Sequence, residues 1–434
     1  MTSVAKYRGL FDLDPATVRC PYAVYDQMRS EPPEWIEAIG AYAVTRHEDV
    51  AAILRDTGRF SSEFQSGPSS VTPLAARLSQ SPDTPETLLR QVLRRLEISK
   101  SPVLVNSDPP AHARQRKLVN KAFTPRRVAT LEARVQEVTD RLIDAFAPDG
   151  RVELVRQFCV NMTITVIAGI LGVPDSMMDT FKNWSDAFTV GTGRRDLSVA
   201  ELEELFSNVD AFYDYFTEKI ADRRDSPRDD LLTDLVNARS ADDEPLTENE
   251  ILQMLVQFLV AGNETTTNLI GMLVHALVTD HALMEQVRAD SSLIKPLVEE
   301  TLRLQSPVQG LYRTAKVDVE IGGTTIPAGG TIWIVFGAAN RDEKAFDSPG
   351  TIDLDNADQK HLAFGKGEHF CLGAPIARLE ARIAAETLLR RLPDLELDCA
   401  PEDVQYLPNF VLHGLASLPL KFTSQTSSPK ESSS

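Results

Sequence analysis

The chain has 434 residues, 42% of them hydrophobic and 25% charged, a composition that suits a globular protein large enough to enclose a buried cofactor. A formal charge of −18 argues against general nucleic-acid binding. The most apolar run, residues 251–261, is interrupted by Gln253 and Gln257 and is too short to span a membrane; no signal peptide or anchor is read in the first thirty residues.

Residues 34–46 alternate (Trp35, Ile36, Ile39, Tyr42, Val44), which predicts a short hairpin turning at Gly40, with a helix over His47–Arg55 after it. Between Phe60-Ser61-Ser62 and Asp108 lies a long stretch. Residues 65–73 are rich in Ser and Pro and are expected to be irregular. Leu88, Leu89, Val92, Leu93 and Leu96 then recur at helical spacing, with Arg90, Arg94 and Arg95 expected mostly on the other side. Residues 110–310 read as a series of helices, the clearest beginning at Thr247, where Thr247-Glu248-Asn249-Glu250 has the capping-box pattern. It should run to about Thr279. Near residue 317 the period becomes two, Gly322-Gly323 turns the chain, and Thr331–Phe336 forms a second strand. A helix over 373–391 and a strand-like end complete a mainly helical protein with a small sheet. With no linker or repeat in view, residues 1–423 are expected to be one domain and 424–434 a disordered tail.

The strongest chemical signal is Phe364-Gly365-Lys366-Gly367-Glu368-His369-Phe370-Cys371-Leu372-Gly373, followed by Ala374-Pro375 and a helical pattern. A thiolate that binds iron needs backbone N–H donors around its sulfur, which lower its basicity and set its potential. Gly365, Gly367 and Gly373 permit the tight loop that supplies them, and the next helix adds positive partial charge. The bland alternative is a buried structural cysteine in a glycine-rich turn. The other cysteines (Cys20, Cys159, Cys399) lie far apart without a CxxC pair, which disfavours a zinc site and fits a reducing, cytoplasmic setting.

The cysteine segment resembles the haem-binding loop of the cytochrome P450 family in its soluble bacterial form, and the likeness extends over about residues 20–422. It implies a triangular helical fold enclosing haem b between the long central helix and the cysteine loop. Cys371 would be the iron ligand, with Phe364 and Gly373 in the cofactor-binding loop. Ala261-Gly262-Asn263-Glu264-Thr265-Thr266 resembles the family's acid–alcohol pair, which assigns Glu264 to proton delivery and Thr265 to the hydroxyl above the iron, with Thr266 and Thr267 secondary. A polar patch facing another helix is the alternative, because a carboxylate and a hydroxyl are costly to bury without partners. Glu300-Thr301-Leu302-Arg303 has the spacing of a surface ion pair; in the family it braces the approach to the cysteine. Asn356 stands where the family's second arginine is expected, so Arg303 should have a different second partner. His112, Arg116, Arg313 and His369 match the family's donors to the haem propionates.

Residues 112–127 carry Arg114, Arg116, Lys117, Lys121, Arg126 and Arg127 and no acid. The resemblance places this stretch near the cysteine, where an acidic ferredoxin with a separate NAD(P)H reductase would dock. It also implies a hydrophobic small-molecule substrate, O₂ as co-substrate and a monomer. Pocket candidates are Phe188, Val190, Val260, Ala261, Val308, Gln309, Leu311, Val411 and Leu412, mainly apolar and compatible with a terpenoid, steroid, fatty acyl or polyketide-like molecule. The reaction implied is C–H hydroxylation. Oxidative coupling, peroxide-driven oxidation, NO reduction and a non-catalytic haem sensor are the alternatives, and the Glu264-Thr265 pair favours O₂ activation among them. An enlarged segment over 63–107 would be a mobile lid, or else packing on the surface.

Overall fold

In the computed structural model, which describes residues 6–63, 71–120, 123–190, 197–240, 243–355 and 360–424, the expected hairpin is present. Strand β1 (Trp35–Ile36) pairs antiparallel with β2 (Ala41–Val44), and Gly40 turns between them at φ +59°. Helix α1 (His47–Arg55) has the predicted bounds, and β3 (Phe60–Ser61) follows. Of the stretch read as irregular, 65–70 lies outside the described residues, and 71–73 instead open helix α2 (Val71–Gln80). Helix α3 (Glu86–Ser99) buries Leu88, Val92 and Ile98 but leaves Leu93 50% exposed.

Helices α4 (Ala111–Val119), α5 (Pro125–Phe146), α6 (Val160–Ile170), α7 (Met178–Val190) and α8 (Val199–Asp225) lead to the long α9 (Glu248–Thr279). The capping box starts α9 as expected: Glu250 N donates to Thr247 Oγ1 at 3.2 Å, and Thr247 N to Glu250 Oε2 at 2.8 Å. Glu250 also receives Arg114 and Gln115, so the same carboxylate that starts α9 anchors α4. Two apolar cores flank α9. One includes Leu269, Leu273 and Leu277 with residues of α5 and of α10 (Ile294–Gln305); the other joins Leu255 and Leu259 to α7 and α8.

The sheet is larger than the sequence pattern suggests. Strands β4 (Gly310–Ala315), β5 (Val319–Ile321), β6 (Thr324–Ile326) and β7 (Thr331–Val335) follow α10. Five strands pair in the order β1-β2-β7-β4-β3, with β2 and β7 parallel in the register Tyr42↔Ile332. The turn at Gly322-Gly323 joins β5 to β6 as expected, while Phe336 already begins a short helix to Ala339. Strand β4 escaped the pattern because it is a central strand, buried on much of both faces, and so does not alternate. Helix α11 (Ala374–Arg391) and a three-stranded sheet of Arg151–Glu153, Pro419–Lys421 and Glu396–Leu397 close the described fold. Residues 425–434 of the expected tail and Asn356 lie outside the described residues.

Adjacent carboxylates on α10 hold the approach to the cysteine loop. Glu300 and Arg303 form a bidentate pair at 2.8 and 2.6 Å, and it is buried rather than on the surface as its spacing alone would suggest. The same guanidinium donates to the carbonyls of Asn340, Ser348, Pro349 and Thr351, and Glu300 accepts from Asp353 N at 2.9 Å. Backbone carbonyls thus serve as the further partners of Arg303. Glu299, which the sequence reading passed over, receives Arg378 at 2.6 and 2.7 Å and His361 Nε2 at 3.0 Å. Burial alone would raise its pKa, but these two partners hold it down at about 2.

A depressed carboxylate stabilises the fold above its unfolded pKa near 4.5, and that stability is lost as pH falls towards about 2. Glu299→Gln should therefore cost about 1–3 kcal/mol near neutral pH. Urea unfolding should show the gap between variant and parent shrinking near pH 3. A gap that stays constant with pH would assign the loss to shape rather than charge.

Candidate active site

The cysteine loop is held by its own backbone. Gly365 N donates to Leu362 O at 2.8 Å, Phe370 N to Gly367 O at 3.1 Å, and Cys371 N to Phe364 O at 2.9 Å. Gly367 is required twice over: its φ is +72°, and a Cβ there would stand 2.7 Å from Leu54 O. Gly365 also has positive φ, at +69°. Gly373 caps α11 at φ −81°, a conformation that does not itself require glycine, and a Cβ there would stand 4.0 Å from the Cys371 sulfur. Burial pushes the Cys371 thiol up; the backbone N–H groups of Gly373 and Ala374 and the charges of Arg116 and Arg378 oppose this. Arg378 also stacks over the Phe364 ring at 4.6 Å.

Cys371 lines a cavity of about 1150 Å³ that extends to α9. Small-molecule pockets usually enclose roughly 300–1,000 Å³, so this space accommodates a flat macrocycle together with a second molecule. Thr265 and Thr266 line it from α9, and Thr265 Oγ1 donates back to Ala261 O at 2.6 Å. Glu264 is not in the lining. Burial raises its pKa, so it keeps its proton to higher pH than an ordinary carboxyl. The neighbouring polar residues fit the bland alternative: Asn263 bonds Thr163 and Ser185 at 2.9 Å each, and Thr267 lies 3.0 Å from Thr163. Asn263 and Thr267 thus glue α9 to α6 and α7, while Thr265 and Thr266 face the cavity. Glu380, absent from the sequence reading, also lines the cavity from α11. It is fully buried, its Oε2 has no partner among the described residues, and burial raises its pKa well above the usual range.

His112 and Arg116 from α4, Arg313 from β4 and His369 from the cysteine loop come together, and all line the cavity. The two imidazoles stack with centroids 4.0 Å apart, and His369 Nε2 meets Ser62 Oγ at 3.0 Å. Among the described residues buried His112 Nδ1 has no hydrogen-bond partner, and the Glu368 carboxylate is 4.0 Å away. Arg313, 4% exposed, donates to Tyr312 O, and burial lowers its pKa to about 10. His369 falls to about 3, chiefly through burial, then through His112 and Arg313. Asp108 offsets this charge weakly, being itself paired with Lys316 at 2.8 Å. Buried cations and unused donors converging on one cavity rim are costly unless an anion completes them. The propionates of a haem would supply that anion, and the Cys371 sulfur at the same cavity would hold its iron, so the residues fit the group.

Of the pocket candidates, Phe188, Val260, Ala261, Val308 and Leu311 line the cavity. Gln309 does not. Its side chain turns to the end of α10, donating to Gln305 O at 2.7 Å and Ser306 O at 2.6 Å. Val411 and Leu412 are not in the lining either; they pair through the backbone with Gln309 and Val308. The Val190 side chain lies outside the described residues. The basic stretch is largely neutralised: Arg114 meets Glu250, Lys117 meets Asp243 at 2.7 Å, and Arg127 meets Asp229 and Asp234. Arg116 turns inward to Phe370 O at 2.6 Å, Arg126 is exposed, and Lys121 lies outside the described residues. Among the described residues no helix is long and apolar enough to cross a membrane.

Comparison with known proteins agrees with this geometry. The family model "Cytochrome P450" matches residues 82–413. Cytochrome P450 107B1 of Saccharopolyspora erythraea is 37% identical, covering 95% of this chain and 97% of the relative. The mycinamicin IV hydroxylase/epoxidase of Micromonospora griseorubida is 38% identical, covering 90% and 91%. The solved structure of the bacillaene polyketide synthase cytochrome P450 PksS from Bacillus subtilis 168 superposes with a TM-score of 0.80 at 31% identity, covering 94% and 98%. A cysteine and an uncompensated cation cluster on one cavity, under a fold shared over nearly the whole chain, have one explanation: the chain belongs to the cytochrome P450 family and is a monooxygenase whose cofactor is haem b.

Proposed function

We propose that residues 1–423 act as one domain that hydroxylates a hydrophobic, polyketide-like or fatty acyl molecule at a C–H bond, with electrons from a separate acidic ferredoxin. The carrying observation is that the Cys371 sulfur, the cation cluster and the Thr265 hydroxyl all face the same cavity. Cys371 holds the iron as a thiolate; the N–H groups of Gly373 and Ala374 and the Arg116 charge favour that form against burial. Arg116, Arg313, His112 and His369 take the propionates, and in doing so gain the anion their burial demands. When bound, the haem activates O₂ and supplies the oxidising power for oxygen insertion.

The chain's part is then to place protons and exclude water. The Thr265 hydroxyl, now bonded to Ala261 O, can rotate to donate into the cavity. Glu264, whose pKa burial raises, is the proton donor one residue away. Phe188, Val260, Val308 and Leu311 press an apolar substrate over the site. The substrate class draws support from relatives named for polyketide biosynthesis and for a mycinamicin hydroxylase/epoxidase. Ferredoxin docking draws support from the α4 face, which reaches the cysteine loop through Arg116 and Phe370, and from Arg126, exposed in the first turn of α5.

Cys371→His should abolish the strongly red-shifted Soret band of the reduced carbonyl complex while haem still binds. Retention of that band would sink the ligand assignment. Thr265→Ala should keep haem content but divert reducing equivalents into peroxide, and Glu264→Gln should slow turnover more than it uncouples it. Product formed at the parent rate and yield by both variants would remove the proton-delivery role. Arg126→Glu should weaken ferredoxin-supported turnover and flatten its salt dependence. An unchanged salt profile would place the donor elsewhere.

A further inference from the structure

The charged residues along the cavity divide by role. His112, Arg116, Arg313 and His369 form the cation cluster, and Glu380 sits on the cysteine helix; Glu63, Arg95 and Lys100 remain. Glu63 is exposed and Lys100 is held by Glu97 at 2.5 Å. Arg95 differs from both. It lies on α3 at the helical repeat of Leu88 and Val92, seven and three residues earlier, which turns it to the buried face of the helix. Its guanidinium sits 5.4 Å over the Phe188 ring and 6.0 Å over that of Tyr213, and Nη1 donates to the Tyr213 hydroxyl. The nearby carboxylates go to its neighbour instead: Arg94 meets Asp210 at 3.3 Å and Asp214 at 2.7 Å. Among the described residues no carboxylate pairs with Arg95, and most of its N–H donors have no acceptor there.

A guanidinium fixed by two aromatic rings, with donors to spare, on the lining of the chamber is a pre-organised anion receptor. We propose that Arg95 selects substrates that carry a carboxylate. The acid group pairs with the guanidinium, and the hydrocarbon body lies along Phe188 and Ile167 towards Thr265. A molecule presenting a cation at this place is disfavoured by the same charge. This rests on the reading of the cavity as the substrate chamber.

The test uses the haem-loaded protein and matched ligand pairs: dodecanoic acid with methyl dodecanoate, and a steroid 17-carboxylic acid with its methyl ester. Binding is followed by the Soret shift and, independently, by equilibrium dialysis. In at least one pair the acid should bind about tenfold or more tightly than its ester. In Arg95→Gln that ratio should fall to near one while the ester's affinity is kept, and Arg95→Lys should retain part of it. Equal affinities in both pairs, no binding of either acid, or a ratio that survives Arg95→Gln would overturn the proposal. So would equal weakening of acid and ester, which would leave Arg95 only a strut between α3 and Tyr213. Failure of the chamber itself would look different, as binding by dialysis with no Soret response in the parent protein.

Discussion

The Glu300–Arg303 pair is buried on both sides, and its worth lies less in its own energy than in what it orients. An isolated buried ion pair contributes little net stability, because desolvation offsets most of the Coulomb gain. Here the guanidinium, fixed by Glu300, also satisfies four backbone carbonyls between Asn340 and Thr351. Those carbonyls belong to a connection without regular structure, which the guanidinium ties to α10. Next to it, Glu299 ties His361 to Arg378 of α11. Consecutive residues of one helix thus fix the chain before the cysteine loop and the helix after it, and Cys371 is presented between these supports.

How much of this was visible in the sequence follows from distance along the chain. The hairpin at Gly40, helix 47–55 and the start of α9 are written in residues a few positions apart, and they appeared as expected. The cysteine loop was equally local. What escaped was non-local: Thr163 lies 100 residues from Asn263, and nothing near either predicts their bond. The carbonyl partners of Arg303 could not be read at all, since any residue has a carbonyl. Gln309 was misplaced because in an extended segment neighbouring side chains face opposite ways, and Val308 took the cavity side. Arg95 was misread for a different reason. Its spacing from Leu88 and Val92 places it on the buried face, but three arginines in one helix suggested a common solvent side.

Ionisation around the cavity sorts by sign. In the cation cluster stand Arg116 and Arg313, depressed by burial yet still cationic, with imidazoles pushed towards neutrality. From α9 and α11 come Glu264 and Glu380, which burial drives towards their protonated forms. The cluster of cations is therefore left short of negative charge along this rim of the cavity. A ligand that binds only the folded state stabilises it in proportion to its concentration and affinity, and a dianionic one here also relieves the repulsion among the cations. A cofactor held by these cations would couple its loading to folding stability through the same side chains, whereas the pKa of Glu264 is raised by burial on α9 and not by the cation cluster.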